Sequence, residues 1–213
     1  MCIRDRVTCV GFADDACLII TGKDIKTMYR LMNKAIATAI SWADKYGLVI
    51  SQEKTIAMLF TGNTGYSLDG LDISIKGVNI PLSKEAKYLG VIVDCNLTWE
   101  SHIMNKISQA KKVLFAAKGA LGKLWGPKPE LMKWLWTAVI RPMISYASII
   151  WGKGIKTHLK AKLRSLQRLA LLCLGHVRRG TPTAGLEVIT DTMPIDLFIE
   201  QESVNTYLSL IHI

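Results

Sequence analysis

The sequence predicts an α+β chain, in which a small antiparallel sheet with one packed helix gives way to a run of helices. Three observations predict it. Residues 7–13 and 16–21 are short β-forming runs on either side of Asp14-Asp15, which is a hairpin pattern. Residues 24–46 place Ile25, Met28, Leu31, Met32, Ala35, Ile36, Ala39, Ile40 and Ala43 on one helical face. Beyond residue 98 the chain reads as successive helices with leucine and tryptophan at core spacing.

Composition narrows the function classes. The chain has 213 residues, half of them apolar, so it can bury one or two cores and is not disordered. Twenty-seven Lys and Arg against 17 Asp and Glu give a formal charge of +10, which suits a polyanionic partner. Five cysteines show no Cys-x-x-Cys spacing. Cys9, Cys17, Cys95 and Cys173 read as buried or incidental thiols in a reducing compartment. With four histidines and no Cys/His cluster, no zinc centre is expected. No signal peptide is visible. Residues 134–151 imitate a membrane span. Arg141 near the middle would cost about 2.5–3.5 kcal/mol on insertion scales, and Pro142 interrupts a helix. Two buried helical segments meeting at Pro142 are expected instead.

Both ends read as foreign. Met1-Cys2-Ile3-Arg4-Asp5-Arg6 back-translates as ATGTGTATAAGAGACAG. The reverse complement, CTGTCTCTTATACACAT, encodes Leu208-Ser209-Leu210-Ile211-His212-Ile213. One DNA sequence read on opposite strands therefore accounts for both termini, and it resembles the transposase-end adapter of sequencing libraries. Residues 1–6 and 208–213 are set aside as adapter-derived scars. Met1 is then not a natural start, and both true ends are expected to be missing.

The elements follow in order. In the first hairpin Asp14 and Asp15 fall at or near the turn, where an Asp side chain bonds nearby backbone. Two acids at the open end of a sheet also suit Mg²⁺, which takes one or two carboxylates together with substrate phosphates. An ordinary polar turn is the alternative. Gly47 stops the helix. Residues 48–50 and 56–60 read as strands around Ser51-Gln52-Glu53-Lys54-Thr55. Residues 63–81 are turn-rich, with Gly65, Gly70, Gly77 and Pro81 just after Gly62. Within them Ile73-Ser74-Ile75, Lys76-Gly77 and Val78-Asn79-Ile80 read as a small hairpin. Residues 85–94 carry a strand signal. Thr98 is the expected N-cap of the next helix, with Ser101 in its first turn. Ile103, Ile107, Ala110, Leu114, Ala117 and Leu121 form its buried stripe, and Lys106, Lys111, Lys112 and Lys118 make it basic. Those lysines either track phosphate or form a solvated face. His102 reads as a packing or capping histidine. Helices are expected over 129–140, 143–151 and 155–174, the last with Leu159, Leu163, Leu166, Leu169, Ala170 and Cys173 inward.

Several of these stretches resemble one family. Phe12-Ala13-Asp14-Asp15 within strand–turn–strand resembles the aromatic-x-Asp-Asp motif of reverse transcriptases. Gly47-Leu48-Val49-Ile50-Ser51-Gln52-Glu53-Lys54-Thr55 is similar to the motif after that hairpin in reverse transcriptases of non-LTR (LINE-type) retrotransposons, usually Gly-Leu-x-Ile/Leu-Asn/Ser-x-x-Lys-Thr. Lys87-Tyr88-Leu89-Gly90, with Asp94, resembles the same family's primer-gripping element. Leu97-x-Trp99-x-x-His102-Ile103 looks like the start of its thumb. Arg141-Pro142, Tyr146-Ala147 and Trp151-Gly152 resemble its Arg-Pro-x-x-x-Tyr-(Gly/Ala) segment. Leu166-Gln167-Arg168 and residues 179–186 resemble the part after its thumb. The motifs keep the family's order across residues 7–207.

The resemblance implies a partial polymerase palm over residues 7–95, an α-helical thumb over 96–180 and a post-thumb connector over 181–207. It implies RNA-directed DNA polymerisation in the intact enzyme, the addition of deoxynucleotides to a primer 3′ hydroxyl. Two metal ions would activate that hydroxyl and stabilise the leaving oxygen. Asp14 is then a metal ligand and Asp15 a second ligand or a support, with magnesium expected and manganese the alternative. Lys54 would stabilise charge on the leaving pyrophosphate, or else is an ordinary surface lysine. Phe12 would pack beside the primer end, and Tyr88 and Leu89 would support it. Gly90 would let the backbone come close, and Lys106, Lys111 and Lys112 would follow phosphates of primer or template.

The implied partners are an RNA template, a DNA primer and deoxynucleoside triphosphates, with no membrane. Endonuclease or ribonuclease H domains of the same polyprotein would lie outside this chain, in a ribonucleoprotein of nucleus and cytoplasm. The family also uses an aspartate on a strand before the hairpin. Only residues 7–11 precede it here, and the fingers are absent, so the chain alone is expected to be inactive. A non-catalytic nucleic-acid-binding remnant of a decayed element is the competing reading. A viral RNA polymerase or nucleotidyl cyclase palm is disfavoured by Lys54 and Tyr88-Leu89-Gly90.

Overall fold

A computed structural model of the chain describes residues 7–61, 72–120, 128–175 and 177–211. Contacts divide it into two units, Met1–Ala86 and Lys87–Ile213.

In the first unit β1 (Val7–Phe12) and β2 (Asp15–Ile20) pair antiparallel, with Phe12 opposite Asp15. Ala13 and Asp14 make the turn, and Asp15 is already the first residue of β2. Ala13 takes a φ of +52°, which costs an L-residue about 1–2 kcal/mol. Helix α1 (Ile25–Lys45) begins at Asp24, whose carboxylate accepts from the Thr27 N–H at 2.9 Å and from the Thr27 hydroxyl. It ends in a paired cap. The Leu48 N–H reaches the Ala43 carbonyl at 2.8 Å and the Gly47 N–H the Asp44 carbonyl at 3.2 Å. Gly47, at φ +68°, permits this reversal.

Tyr29, Ile36 and Ala43 are the buried residues of α1, two heptads of one stripe. Tyr29 and Ile36 share a core with Ile73, Ile75 and Ile80 of β3 (Ile73–Ile75) and β4 (Val78–Ile80). That hairpin pairs Ile75 with Val78 across Lys76-Gly77. Both turn residues have positive φ, +47° and +82°, as a two-residue hairpin turn matched to strand twist requires. Lys76 Nζ also meets Asp44 of α1 at 2.8 Å.

The expected strands over 48–50 and 56–60 do not form. A strand exists only as half of a ladder, and in those stretches only Ala57 finds a bridge partner, Leu82. Gly62, Gly65 and Gly70 lie outside the described residues.

The strand signal over 85–94 resolves into a hairpin, β5 (Glu85–Tyr88) and β6 (Val91–Asp94), with Leu89 and Gly90 at its tip. Helix α2 (Glu100–Ala120) follows in the second unit. Thr98 is not its N-cap. The Trp99 carbonyl takes the first helical bond, from the Ile103 N–H at 3.0 Å, and Asp94 instead fixes the loop before the helix, accepting from the N–H groups of Asn96 (3.1 Å), Thr98 (3.0 Å) and Trp99 (2.8 Å). Leu121 lies outside the described residues.

The segment around Pro142 also differs from expectation. Helix α3 (Pro129–Trp134) runs into a π-helical segment, Leu135–Ile140, and then into α4 (Arg141–Ser145). The Arg141 N–H bonds to the Trp136 carbonyl, five residues back. This wider winding lets the path continue through a proline that lacks a donor. The break comes later, at Ala147, whose φ is +57°, before α5 (Ser148–Trp151).

Helix α6 (Thr157–Gly175) then crosses the unit, and two unanticipated helices follow, α7 (Thr183–Ile189) and α8 (Ile195–Ile211). One core joins them all. Ile103 and Leu114 of α2, Trp136, Ile144, Trp151, Leu159 and Leu163 of α6, Leu186 and Ile199 are buried in it. The apolar run over 134–151 is therefore core. No helix among the described residues is long and apolar enough to cross a membrane.

Candidate functional site

The β1–β2 ribbon is lightly packed. Leu18 is its one residue set against the core of the first unit; Val7, Cys17 and Ile20 are half-buried, and Val10, Phe12 and Ile19 are exposed. Asp14 and Asp15 are both exposed. Phe12 stands across the ladder from Asp15 and is 64% exposed. Among the described residues no group of three or more His, Cys, Asp or Glu could hold a metal ion. Two adjacent carboxylates are enough for magnesium when phosphates and water supply the remaining oxygens. The donor set therefore fits an ion that arrives with a phosphate ligand, and does not fit a protein-only cage.

Lys54 is presented by a different loop. The Thr55 hydroxyl donates to the Ser51 carbonyl at 2.6 Å and the Thr55 N–H to the Gln52 carbonyl at 3.3 Å. Gln52 Nε2 in turn donates to the Ile75 carbonyl at 3.3 Å, which ties the loop to β3. Lys54 is exposed. Among the described residues no hydrogen bond or ion pair joins it to Asp14 or Asp15.

In the second unit Leu89 and Gly90 form a turn with φ values of +45° and +81°. Tyr88 is half-buried and Leu89 exposed. The Tyr146 hydroxyl donates to the Leu89 carbonyl at 3.0 Å. A Cβ at Gly90 would lie 3.4 Å from the Tyr146 ring. Lys106 Nζ sits 5.2 Å from the centroid of that ring. Burial pulls the Lys106 pKa down, and the like charge of Lys87 adds to it. Lys111 and Lys112 are exposed on α2. Phe115, 53% exposed, lies three and four residues on, within reach of both.

Tyr146 is the residue that sequence reasoning missed as part of this site. Its only signal was its place in the Arg141-Pro142 segment, which lies far along the chain from the turn it touches.

Other motif residues hold the fold. His102 is buried, its Nδ1 accepts from the Ile92 N–H at 3.2 Å, and its ring lies 5.6 Å from that of Trp151. Burial first, then Lys106, lowers its pKa to about 4, so it is neutral near pH 7. Burial alone would raise the Asp94 pKa, but its three backbone donors outweigh that and lower it. The Arg141 guanidinium stacks 3.6 Å from the Phe198 ring centroid. Gln167, fully buried, donates to the Met193 carbonyl at 3.0 Å and accepts from the Ile195 N–H at 2.5 Å. Arg168 binds the Thr181 carbonyl at 2.9 Å and the Thr183 hydroxyl at 2.6 Å, and also reaches the Arg179 carbonyl. The Leu166-Gln167-Arg168 motif thus pins the segment leading to α7 and α8.

Curated proteins resemble the chain along most of its length. It is 23% identical over 194 residues to a Pol polyprotein of the type-1 retrotransposable element R1 of Nasonia vitripennis, covering 88% of this chain and 57% of that protein. A second such polyprotein from the same wasp is 26% identical over 196 residues, covering 90% and 48%. The RNA-directed DNA polymerase of the mobile element jockey of Drosophila melanogaster is 28% identical over 172 residues, covering 79% and 18%. The chain spans about half the length of the Nasonia vitripennis R1 polyproteins it matches. No family model and no solved structure matches it.

Proposed function

We propose that the chain, which resembles the polyproteins and RNA-directed DNA polymerase of the R1 and jockey elements, is the later palm and the thumb of such a non-LTR retrotransposon RNA-directed DNA polymerase. The observation that carries the proposal is the exposed Asp14-Asp15 pair at the end of a ribbon, with exposed Phe12 across from Asp15. Asp14 and Asp15 would hold magnesium, or manganese in its place. The bound ions would supply a lowered pKa for the primer hydroxyl and a counter-charge for the leaving oxygen.

The chain's own residues do the rest. Phe12 offers an apolar face to the terminal primer nucleotide. Lys54 brings a cation to the triphosphate, where charge develops as pyrophosphate leaves. Tyr88, Leu89 and Gly90 support the primer strand, and Lys106, Lys111 and Lys112 hold phosphates of primer or template.

With only two acids together among the described residues, the 213 residues alone are proposed to bind primer–template without extending it. The test is one incubation with an RNA template, a DNA primer, deoxynucleotides and magnesium, read for both binding and extension. Binding without extension is expected. Extension that Asp14→Ala abolishes would overturn the inactivity of the chain, and no duplex binding even at low salt would overturn the nucleic-acid reading. A non-catalytic binding remnant is favoured by the exposed lysines of α2, which need no carboxylate. On that reading Asp14→Ala changes neither metal nor nucleic-acid binding.

A further inference from the structure

Tyr146 connects three pieces of the second unit that are far apart in sequence. Its hydroxyl donates to the Leu89 carbonyl at 3.0 Å. Its ring covers Gly90, where a Cβ would come within 3.4 Å. Its other contact is the Lys106 ammonium, 5.2 Å from the ring centroid. Its own place is fixed in turn, because Trp151, buried in the core, donates from Nε1 to the Tyr146 carbonyl at 2.9 Å. Ala147, directly after it, adopts the left-handed conformation that ends α4 and turns the chain.

Tyr146 is 51% exposed all the same, so this assembly faces solvent. Among the described residues neither Lys106 nor Lys87 has a carboxylate partner. A half-exposed assembly that presents the Lys106 ammonium beside an aromatic ring, without an internal counter-ion, suits an anion from outside. The aromatic face beside Lys106 holds the cation without neutralising it.

We propose that Tyr146 is the positioning residue of the Leu89-Gly90 turn, fixing the turn through its hydroxyl and holding Lys106 beside it, so that turn and ammonium meet the same stretch of sugar–phosphate backbone. This rests on the reading of that turn as a primer contact. The turn has two left-handed residues, the conformation that suits a two-residue hairpin turn, and an exposed tip. The tyrosine hydroxyl anchors that tip, and the ring sets where the charge stands.

The test uses the full chain and two readouts. Hydrogen exchange of peptides spanning residues 88–92 reports the turn. Binding of an RNA–DNA duplex with a recessed primer 3′ end, measured across a salt series, reports the contact. Tyr146→Phe keeps the ring and loses the donor; it is expected to raise exchange at the turn about fivefold, the worth of one neutral hydrogen bond, and to weaken duplex binding about as much. Tyr146→Leu also loses the ring. It is expected to lower the salt slope by about one phosphate contact, which a merely structural defect would leave unchanged.

Lys111→Ala lowers the slope by a similar step whether or not Tyr146 is intact. Unchanged exchange in Tyr146→Phe would overturn the positioning role. Raised exchange with unchanged affinity and slope would overturn it too, while leaving the nucleic-acid reading in place. If the unaltered chain binds no duplex, the primer-contact reading falls, and the role proposed for Tyr146 falls with it.

Discussion

Between pH 6.5 and pH 4 the second unit is expected to lose the stabilisation that depends on an uncharged His102. The imidazole is buried, accepts a hydrogen bond from the Ile92 N–H and lies near Lys106, which disfavours a second positive charge. Its pKa falls from 6.5 to about 4. A folded-state pKa below the unfolded value means that the unfolded chain binds the proton first, so stability is full above 6.5 and declines as pH falls toward 4. At about 1.4 kcal/mol for each pKa unit, the whole loss is roughly 3 kcal/mol.

Denaturant titrations at several pH values check this, with tryptophan fluorescence as the probe, since Trp151 lies against the His102 ring. His102→Gln serves as reference, because it keeps an acceptor near the Ile92 N–H and cannot titrate. Asp94 and Asp196 have lowered pKa values and Glu187 a raised one; the first two lose stability as the pH falls further and the last opposes them. Those contributions are common to both proteins and cancel in the difference. The difference is expected to shrink by about 3 kcal/mol from neutral pH to pH 4. Parallel pH profiles would refute the burial of a neutral His102.

Four further outcomes are expected. Asp94→Ala strands three backbone donors and should cost about 2–3 kcal/mol in denaturant unfolding. Gly77→Ala, at φ +82°, should cost about 1–2 kcal/mol; Asp44→Ala, which breaks only the half-exposed pair with Lys76, should cost less than about 1 kcal/mol in the same assay. Arg168→Ala frees the Arg179 and Thr181 carbonyls, so tryptic cleavage after Arg178 and Arg179 should accelerate severalfold, whereas Lys160→Ala should not change it.

Local chemistry was readable from the residues wherever one segment settled its own structure. Gly47 ending α1 and Lys76-Gly77 turning β3 into β4 each need only a few neighbouring residues. The Asp14-Asp15 ribbon was legible for the same reason, although its turn sits one residue earlier than the pattern suggests.

Helix α8 was illegible because its burial inverts the usual pattern. Asp196 and Ser203 are buried with Ile195 and Ile199, while Leu197, Val204 and Leu208 are exposed. The Asp196 carboxylate is tolerated there because Arg164 binds it through two nitrogens. Continuity through Pro142 was hidden because a π-helical segment leaves no mark in composition. The contact of Tyr146 with Leu89 and Gly90 depends on the tertiary fold, and no local pattern could have shown it.

The proposal that Asp14 and Asp15 hold a catalytic ion is tested most directly with manganese as a paramagnetic probe. The isotope-labelled chain, mixed with an RNA–DNA primer–template and a deoxynucleotide, is titrated with substoichiometric manganese while amide signals are followed. Loss of signal first at residues 11–16, abolished by Asp14→Asn, is the expected result. Broadening that begins elsewhere, or that survives Asp14→Asn unchanged, would contradict the assignment of the metal to this hairpin.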